Sequence, residues 1–368
     1  MAHFCFVTGL YSRYDTLMFV RQGKSLVQVG FEVTYLVCDN GPDEVVDGIR
    51  ILSTGFRPKT RFDRFIHSKS ILKKHMFRIN ADIYQISDPE LLSLVTDLKQ
   101  RGKKVIFNMR EYYPDMLRSK CYIPKLFRNL SARLYGQLMN RYLNQYDCVF
   151  TVTTWILDLL KKCHKVSSVH LLTNYPPLNT DFNLSYEQYC ERGDVLCYVG
   201  TVYRISRQEK VFEALTDIAR VRYLMAGRIE EGNEHIKQHP YWDCVEFIEG
   251  FARAELPSIF SRASISNTLR DFRGRDGSLG VIKIFESMEA ALPVLFSDVP
   301  LYRKIVEKYR CGLCVDPNNS RQIADAINYL IHNKREAYEM GQRGRQAVIA
   351  EYNWQQQARN YISIINNL

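Results

Sequence analysis

No run of about eighteen apolar residues occurs in the 368-residue chain, which excludes an ordinary membrane-spanning helix. The first residues, Met-Ala-His-Phe-Cys-Phe-Val-Thr-Gly, lack a basic leader and a cleavage site, and Phe4 to Thr8 reads as a strand. The expectation is a protein that stays in the cytoplasm. The ten cysteines, from Cys5 to Cys314, follow no framework spacing. Several, such as Cys5, Cys148 and Cys197, lie inside apolar strands, as reduced buried thiols do. The pair Cys311-Gly-Leu-Cys314 has no second pair and no nearby His, so it does not read as a zinc site. The turn after the first strand, Thr8-Gly9-Leu-Tyr-Ser-Arg-Tyr-Asp15, is not Gly-x-Gly-x-x-Gly, which disfavours a dinucleotide-binding oxidoreductase. No Asp-x-Asp occurs anywhere, so a metal clamp on a diphosphate is not suggested.

What is present is a globular composition, 46% hydrophobic and 24% charged, at a length that suits about two domains. The net charge of +10 invites an anionic partner, and its placement says more than its sum. Residues 57–78 carry Arg57, Lys59, Arg61, Arg64, Lys69, Lys73, Lys74 and Arg78 against one acid, Asp63, with Phe56, Phe62, Phe65 and Ile66 interleaved. A second basic and aromatic segment runs from Leu117 to Leu143, with Arg118, Lys120, Lys125, Arg128, Arg133 and Arg141 among Tyr122, Ile123, Leu126, Phe127 and Leu134. Two such runs suit helices lying on an anionic membrane surface, where one run alone would suit a solvated helix packed on the core. No nucleic-acid module accompanies the charge, so nucleic acid is not the expected partner.

Strand, turn and helix signals alternate along the whole chain. Thr16 to Val29 reads as a helix stopped by Gly30, followed by a strand from Glu32 to Val37. This opens a βαβ series with a parallel sheet. The segment Thr173-Asn-Tyr-Pro-Pro-Leu reads as a crossing between domains, and a fresh α/β series starts at Asp194.

The most informative stretch is 274–298. A loop with Gly274, Gly277 and Gly280 leads into a run with helical spacing that carries Lys283 and Glu286. Pro293 ends it before the short strand Val294-Leu295-Phe296. Such a loop presents free backbone N–H groups and a helix N-terminus to a phosphate, and Glu286 could accept hydrogen bonds from sugar hydroxyls beside it. The same spacing fits an ordinary βα turn with a solvated Glu.

On Gly280, Lys283, Phe285-Glu286, Ala290-Ala291, Pro293-Val294 and Ser297-Asp298, the stretch resembles the donor-binding segment of family 4 glycosyltransferases. The family pattern has two glutamates, of which the second matches Glu286 and the first falls on Ser278. The resemblance implies an α/β GT-B fold of two Rossmann-like domains facing across a cleft. Residues 1–176 would form an acceptor- and membrane-facing domain and 177–353 the donor domain, with 354–368 crossing back onto the first. It implies a donor site at Gly200, Thr201, Arg204, Arg207, Gly227, Phe251, Ser278, Leu279, Gly280, Val281, Lys283 and Glu286. Arg207 falls on the family's phosphate cation and Phe251 on a base-stacking position. Arg204 would replace a cation that relatives carry at Thr201.

Catalytic roles fall on Arg207, Lys283, Glu286, Arg110 and Glu111, where many relatives have His-Glu at the last two positions. Arg110 cannot act as a base, because its guanidinium stays protonated. Arg13, Asp15, Asp88 and Arg110 are the acceptor-site candidates. The function implied is transfer from a nucleotide sugar, taken as a UDP-sugar, with retention and without a metal or other cofactor. The acceptor would be a lipid-diphosphate-linked glycan at the inner face of the cytoplasmic membrane, in bacterial surface polysaccharide assembly (O-antigen, capsule, lipopolysaccharide). Two rival readings stay open: a nucleotide-sugar epimerase, and a non-catalytic nucleotide-sugar- or polyanion-binding protein.

Overall fold

The computed structural model describes residues 1–60, 62–120, 123–178, 184–218, 220–272, 277 and 281–368. The chain forms two units, one of Met1–Asn174 with Gln355–Leu368 and one of Tyr175–Trp354.

In the first unit the strands are β1 (His3–Thr8), β2 (Glu32–Val37), β3 (Glu44–Val46), β4 (Ile49–Ser53), β5 (Ile83–Ile86), β6 (Lys104–Met109), β7 (Cys148–Thr151) and β8 (Val169–Leu171). They form one sheet in the order β3-β4-β2-β1-β5-β6-β7-β8, parallel except for the β3–β4 pair at one edge. Its inner strands read as near-continuous apolar runs because both faces are covered. Cys5 and Val7 of β1 join Leu36, Tyr84, Ile86 and Phe107 in one cluster. Their alternation partners Phe4 and Phe6 pack together on the other face, ring centroids 4.8 Å apart.

The helix expected from Thr16 to Val29 is a wide turn over Met18–Gly23 followed by Lys24–Gln28, and Gly30 takes the left-handed φ of 90° that ends it. The last helix, Trp354–Asn366, belongs to this unit from Gln355 onward. Tyr361 is fully buried, its hydroxyl donating to Gln85 Oε1 at 2.9 Å, while Gln85 Nε2 donates to Gln22 Oε1 at 2.8 Å. A polar residue in a central strand is thus satisfied by the returning helix.

The two basic segments are helical. In the first, Leu72 and Met76 of the helix Lys69–Ile79 are buried, whereas Phe62, Phe65 and Ile66 are exposed. In the second, the helix Lys125–Tyr142 buries Ala132 and Met139 and exposes Leu126, Phe127, Leu130, Leu134 and Leu138. Leu126, Leu130, Leu134 and Leu138 recur every four residues and so share one face. Arg61 and Tyr122 of these segments lie outside the described residues. No helix among the described residues is long and apolar enough to cross a membrane.

The second unit holds β9 (Val195–Val199), β10 (Arg222–Gly227), β11 (Val245–Glu249), β12 (Ile265–Asn267), β13 (Val294–Ser297) and β14 (Gly312–Val315). These pair in parallel in the order β11-β10-β9-β12-β13-β14. With β9 at the centre, the C-terminal ends of β9, β10 and β12 lie side by side, where open α/β sheets bind ligands.

Candidate active site

Two glycines set the floor of the site in the second unit. Gly200 follows β9 with φ 126° and Gly227 ends β10 with φ 148°. A Cβ on Gly227 would lie 2.1 Å from the Gly200 carbonyl oxygen, so neither a side chain nor an ordinary φ fits there. The close approach keeps the mouth between the two strands clear for the loop that follows Gly200.

That loop is held from within. The buried Tyr198 donates its hydroxyl to the Thr201 carbonyl at 2.7 Å and lies 3.1 Å from Ser206 Oγ, which accepts from the Tyr203 amide at 2.9 Å. A short turn, Arg204–Ser206, then delivers Arg207 in a left-handed conformation, φ 50°, immediately before the helix Gln208–Thr216. This sparsely populated geometry turns the side chain onto Asp271, with Nη2 2.5 Å from Oδ2. The Asp271 amide donates to Ile205 at 2.7 Å, tying the same two loops through the backbone. Arg207 Nε is buried and has no partner among the described residues.

Lys283, on the first turn of the helix Ile282–Glu289, places its ammonium 4.0 Å from the centre of the Tyr198 ring. The ring that braces the Thr201–Ser206 loop therefore also seats the second cation. About one turn further in is Glu286, with its side chain 11% exposed and Oε1 2.5 Å from Arg253 Nη2. Phe251 is half-buried against the cluster of Leu256, Ile259 and Phe260. Arg204 is exposed and lines a shallow groove with Glu209, Asn233 and His235. Val281 is buried before the helix, while Ser278, Leu279 and Gly280 lie outside the described residues.

The first unit carries a separate constellation. The Asp15 carboxylate accepts from the Leu17 and Met18 amides at 3.0 and 2.8 Å, starting the helix. It also receives Arg110 in a two-pronged pair, Nη1 to Oδ2 at 3.0 Å and Nη2 to Oδ1 at 2.5 Å. Burial pushes the Asp15 carboxyl up, but the Arg110 hydrogen bonds and charge, with the two amides, hold it below the usual range. The Arg110 guanidinium also lies 3.8 Å from the centre of the Tyr11 ring, and Glu111 beside it is exposed.

Asp88 is buried, accepting from Thr8 Oγ1 at 2.8 Å and from the Gly9 amide at 2.6 Å. Burial and then the charge of Glu90 raise its carboxyl to about 7, against those two hydrogen bonds. Arg13 is committed elsewhere in the unit, to Asp39 through Nε and Nη2 at 2.9 and 2.8 Å and to Glu44 at 2.6 Å.

The structure thus brings Gly200, Thr201, Arg207, Gly227, Lys283 and Glu286 onto neighbouring strand ends and loops of one unit. It adds three residues that sequence reasoning passed over: Tyr198, Asp271 and Arg253. Tyr198 reads as one apolar position of a buried strand. Arg253 and Asp271 meet partners 33 and 64 residues away, and no local spacing signals such pairs.

The chain matches the model of Glycosyltransferase Family 4 over residues 18–182 and that of Glycosyl transferases group 1 over residues 188–347. It resembles the GDP-mannose-dependent alpha-(1-6)-phosphatidylinositol monomannoside mannosyltransferase of Mycobacterium tuberculosis, at 30% identity over 115 residues. That match spans 30% of each protein. Its fold is similar to sucrose-phosphate synthase of Thermosynechococcus elongatus, with TM-score 0.75 and 17% identity over 100% of this chain and 99% of that one. It is also similar to Anabaena HepE in complex with UDP and glucose, with TM-score 0.69 and 12% identity over 99% of both. A glycosyltransferase from Rickettsia africae gives 0.71 at 14% identity, covering 99% of this chain and 97% of that one. The chain is a glycosyltransferase of the GT-B fold, with a family 4 domain followed by a group 1 domain.

Proposed function

We propose that this enzyme moves a sugar from a UDP-sugar to a lipid-diphosphate-linked glycan at the inner face of the cytoplasmic membrane, in bacterial surface polysaccharide synthesis. The observation that carries the donor half is that Lys283 sits on the Tyr198 ring, whose hydroxyl also braces the Thr201–Ser206 loop that leads into Arg207. Two cations at the starts of helices that follow parallel strands are what a departing nucleoside diphosphate needs. With no Asp-x-Asp in the chain, they would do this without a metal. Glu286 would hold the ribose hydroxyls.

In the transfer step the acceptor hydroxyl oxygen bonds the anomeric carbon as the bond from that carbon to the phosphate oxygen breaks. The acceptor proton passes to the leaving phosphate, and the family resemblance implies retention. The membrane half is supported by the exposed leucine stripe of Lys125–Tyr142, flanked by Arg128, Arg133 and Arg141, and by the exposed Phe62, Phe65 and Ile66. The mycobacterial relative is named for a lipid acceptor, although it is named for GDP-mannose as donor.

The test is thermal-shift screening of UDP, GDP and ADP and their sugars in the presence of a chelator, followed by transfer assays with a lipid-linked acceptor. A ligand at a hundred times its dissociation constant adds about 2.7 kcal/mol, a clear shift. Stabilisation by a uridine nucleotide, lost in Glu286→Ala, supports the donor site. No stabilisation by any nucleotide overturns it, and binding without transfer or hydrolysis turns the reading to a non-catalytic protein. A new sugar formed from donor alone would mark an epimerase.

A further inference from the structure

A cavity of about 590 Å³ sits at the C-terminal ends of β1 and β2, within the first unit. The turn Gly9–Arg13 forms one wall, Val37–Asp39 another, and Arg57, Pro58, Lys59, Thr60 and Arg64 the third. Four cations thus line it against the single carboxylate of Asp39. Two of the four are spoken for: Arg13 by Asp39 and Glu44, and Arg64 by the buried Glu90.

Arg57 and Lys59 are different. Both are exposed, and neither has an acidic partner among the described residues. Asp63, the nearest acid in sequence, makes no ion pair with the lysine ammonium among the described residues. Its Oδ2 accepts from the Lys59 and Thr60 amides at 3.3 and 3.0 Å, and its Oδ1 lies 3.2 Å from His67 Nδ1. The carboxylate therefore fixes the backbone of the basic loop and leaves its charges open. Thr60 belongs to the same knot: its Oγ1 accepts from the Asp63 amide at 3.1 Å, and its hydroxyl bonds the Asp63 carboxylate, which is held below the usual range. Two open cations on a tethered loop, over a concave floor, suit a group with several anionic oxygens. A flat solvated basic surface has no such enclosure.

We infer that this cavity is a phosphate subsite, distinct from the donor site of the second unit, and that it takes the diphosphate of the acceptor, an assignment that rests on the acceptor reading above. Its wall is the turn whose far end carries Asp15, so the subsite and the Asp15–Arg110 pair lie on one loop.

Calorimetric titration of the full chain with inorganic pyrophosphate tests it, comparing wild type with Arg57→Gln/Lys59→Gln and with Arg207→Gln/Lys283→Gln. Wild type is expected to show two sites, and the first double variant to lose one of them by tenfold or more in affinity. Both substituted residues are exposed, so an unchanged melting temperature checks that the fold is kept. Pyrophosphate binding by Arg57→Gln/Lys59→Gln that equals wild type overturns the subsite. So does a variant that loses binding only to phosphatidylglycerol vesicles, because the two cations would then belong to a membrane-facing surface. If the cavity site titrates as expected but Arg207→Gln/Lys283→Gln removes nothing, the donor assignment falls while the subsite stands.

Discussion

Arg253 donates from Nη2 to Glu286 Oε1 at 2.5 Å, across 33 residues of sequence. The pair fixes the carboxylate at the inner end of the helix Ile282–Glu289 and leaves Oε2 for another donor. Arg253→Ala is expected to cost about 1 kcal/mol of stability, since the Glu is buried while the Arg is half-exposed. Nucleotide affinity should fall about tenfold and be partly restored in Arg253→Lys, as for a loosened hydrogen-bonding group. Calorimetry with the preferred nucleotide reads both, and unchanged affinity in Arg253→Ala would remove the positioning role.

Arg207 combines a strained backbone, a partner in Asp271 and a buried Nε with no partner among the described residues. Removing a charge that meets the leaving diphosphate should lower kcat by roughly two orders of magnitude. Single-turnover rates of Arg207→Ala at saturating donor measure this directly, and a wild-type rate would exclude Arg207 from the reaction.

Gly227→Ala sets a methyl group against the Gly200 carbonyl at a φ that L side chains rarely adopt. Backbone cannot yield as a flexible side chain does, so a loss of about 2–4 kcal/mol is expected. Melting temperatures of the variant and wild type provide the comparison. Equal values would mean that the two strand ends separate freely.

Asp88 supplies a pH dependence whose sign follows from its environment. Burial, then Glu90, raise its carboxyl from 3.8 to about 7, so the fold favours the protonated form. Its contribution to stability is full below about pH 4 and is lost as pH rises through about 7. Thermal unfolding between pH 4 and 8 should show a steeper decline for wild type than for Asp88→Asn, which cannot ionise. Parallel profiles would contradict the shift.

The leucine stripe of Lys125–Tyr142 predicts a surface effect without a fold effect. Leu126 is 84% exposed and Leu130 52%, so Leu126→Ser/Leu130→Ser should leave the melting temperature within about 1 °C. Co-flotation with anionic vesicles at low salt should fall several-fold. Undiminished flotation would locate membrane binding elsewhere.

The fold class was legible because it is written in local patterns. Apolar runs such as Phe4–Val7 and Val195–Val199 mark strands buried on both faces, and the helical spacing of Ile282–Glu289 needs only its own residues. The basic segments were legible as helices too, but not which apolar side chains they leave in water. Spacing alone does not say which side of such a helix packs inward, and it is the burial of Ala132 and Met139 that leaves Leu130 and Leu138 exposed.

By itself, the sequence determined two α/β series, a glycine-bearing loop before Lys283 and Glu286, and cations at 204–207 that suit a phosphate. Tertiary structure decided which of those charges are open. Arg13 is held by Asp39 and Glu44, Arg110 by Asp15, and Glu286 by Arg253, whereas Arg57 and Lys59 keep their charge for a ligand. The reason is physical. A helix or strand is selected by neighbours a few residues away, but an ion pair is made by chain segments that meet only after the sheet has ordered them.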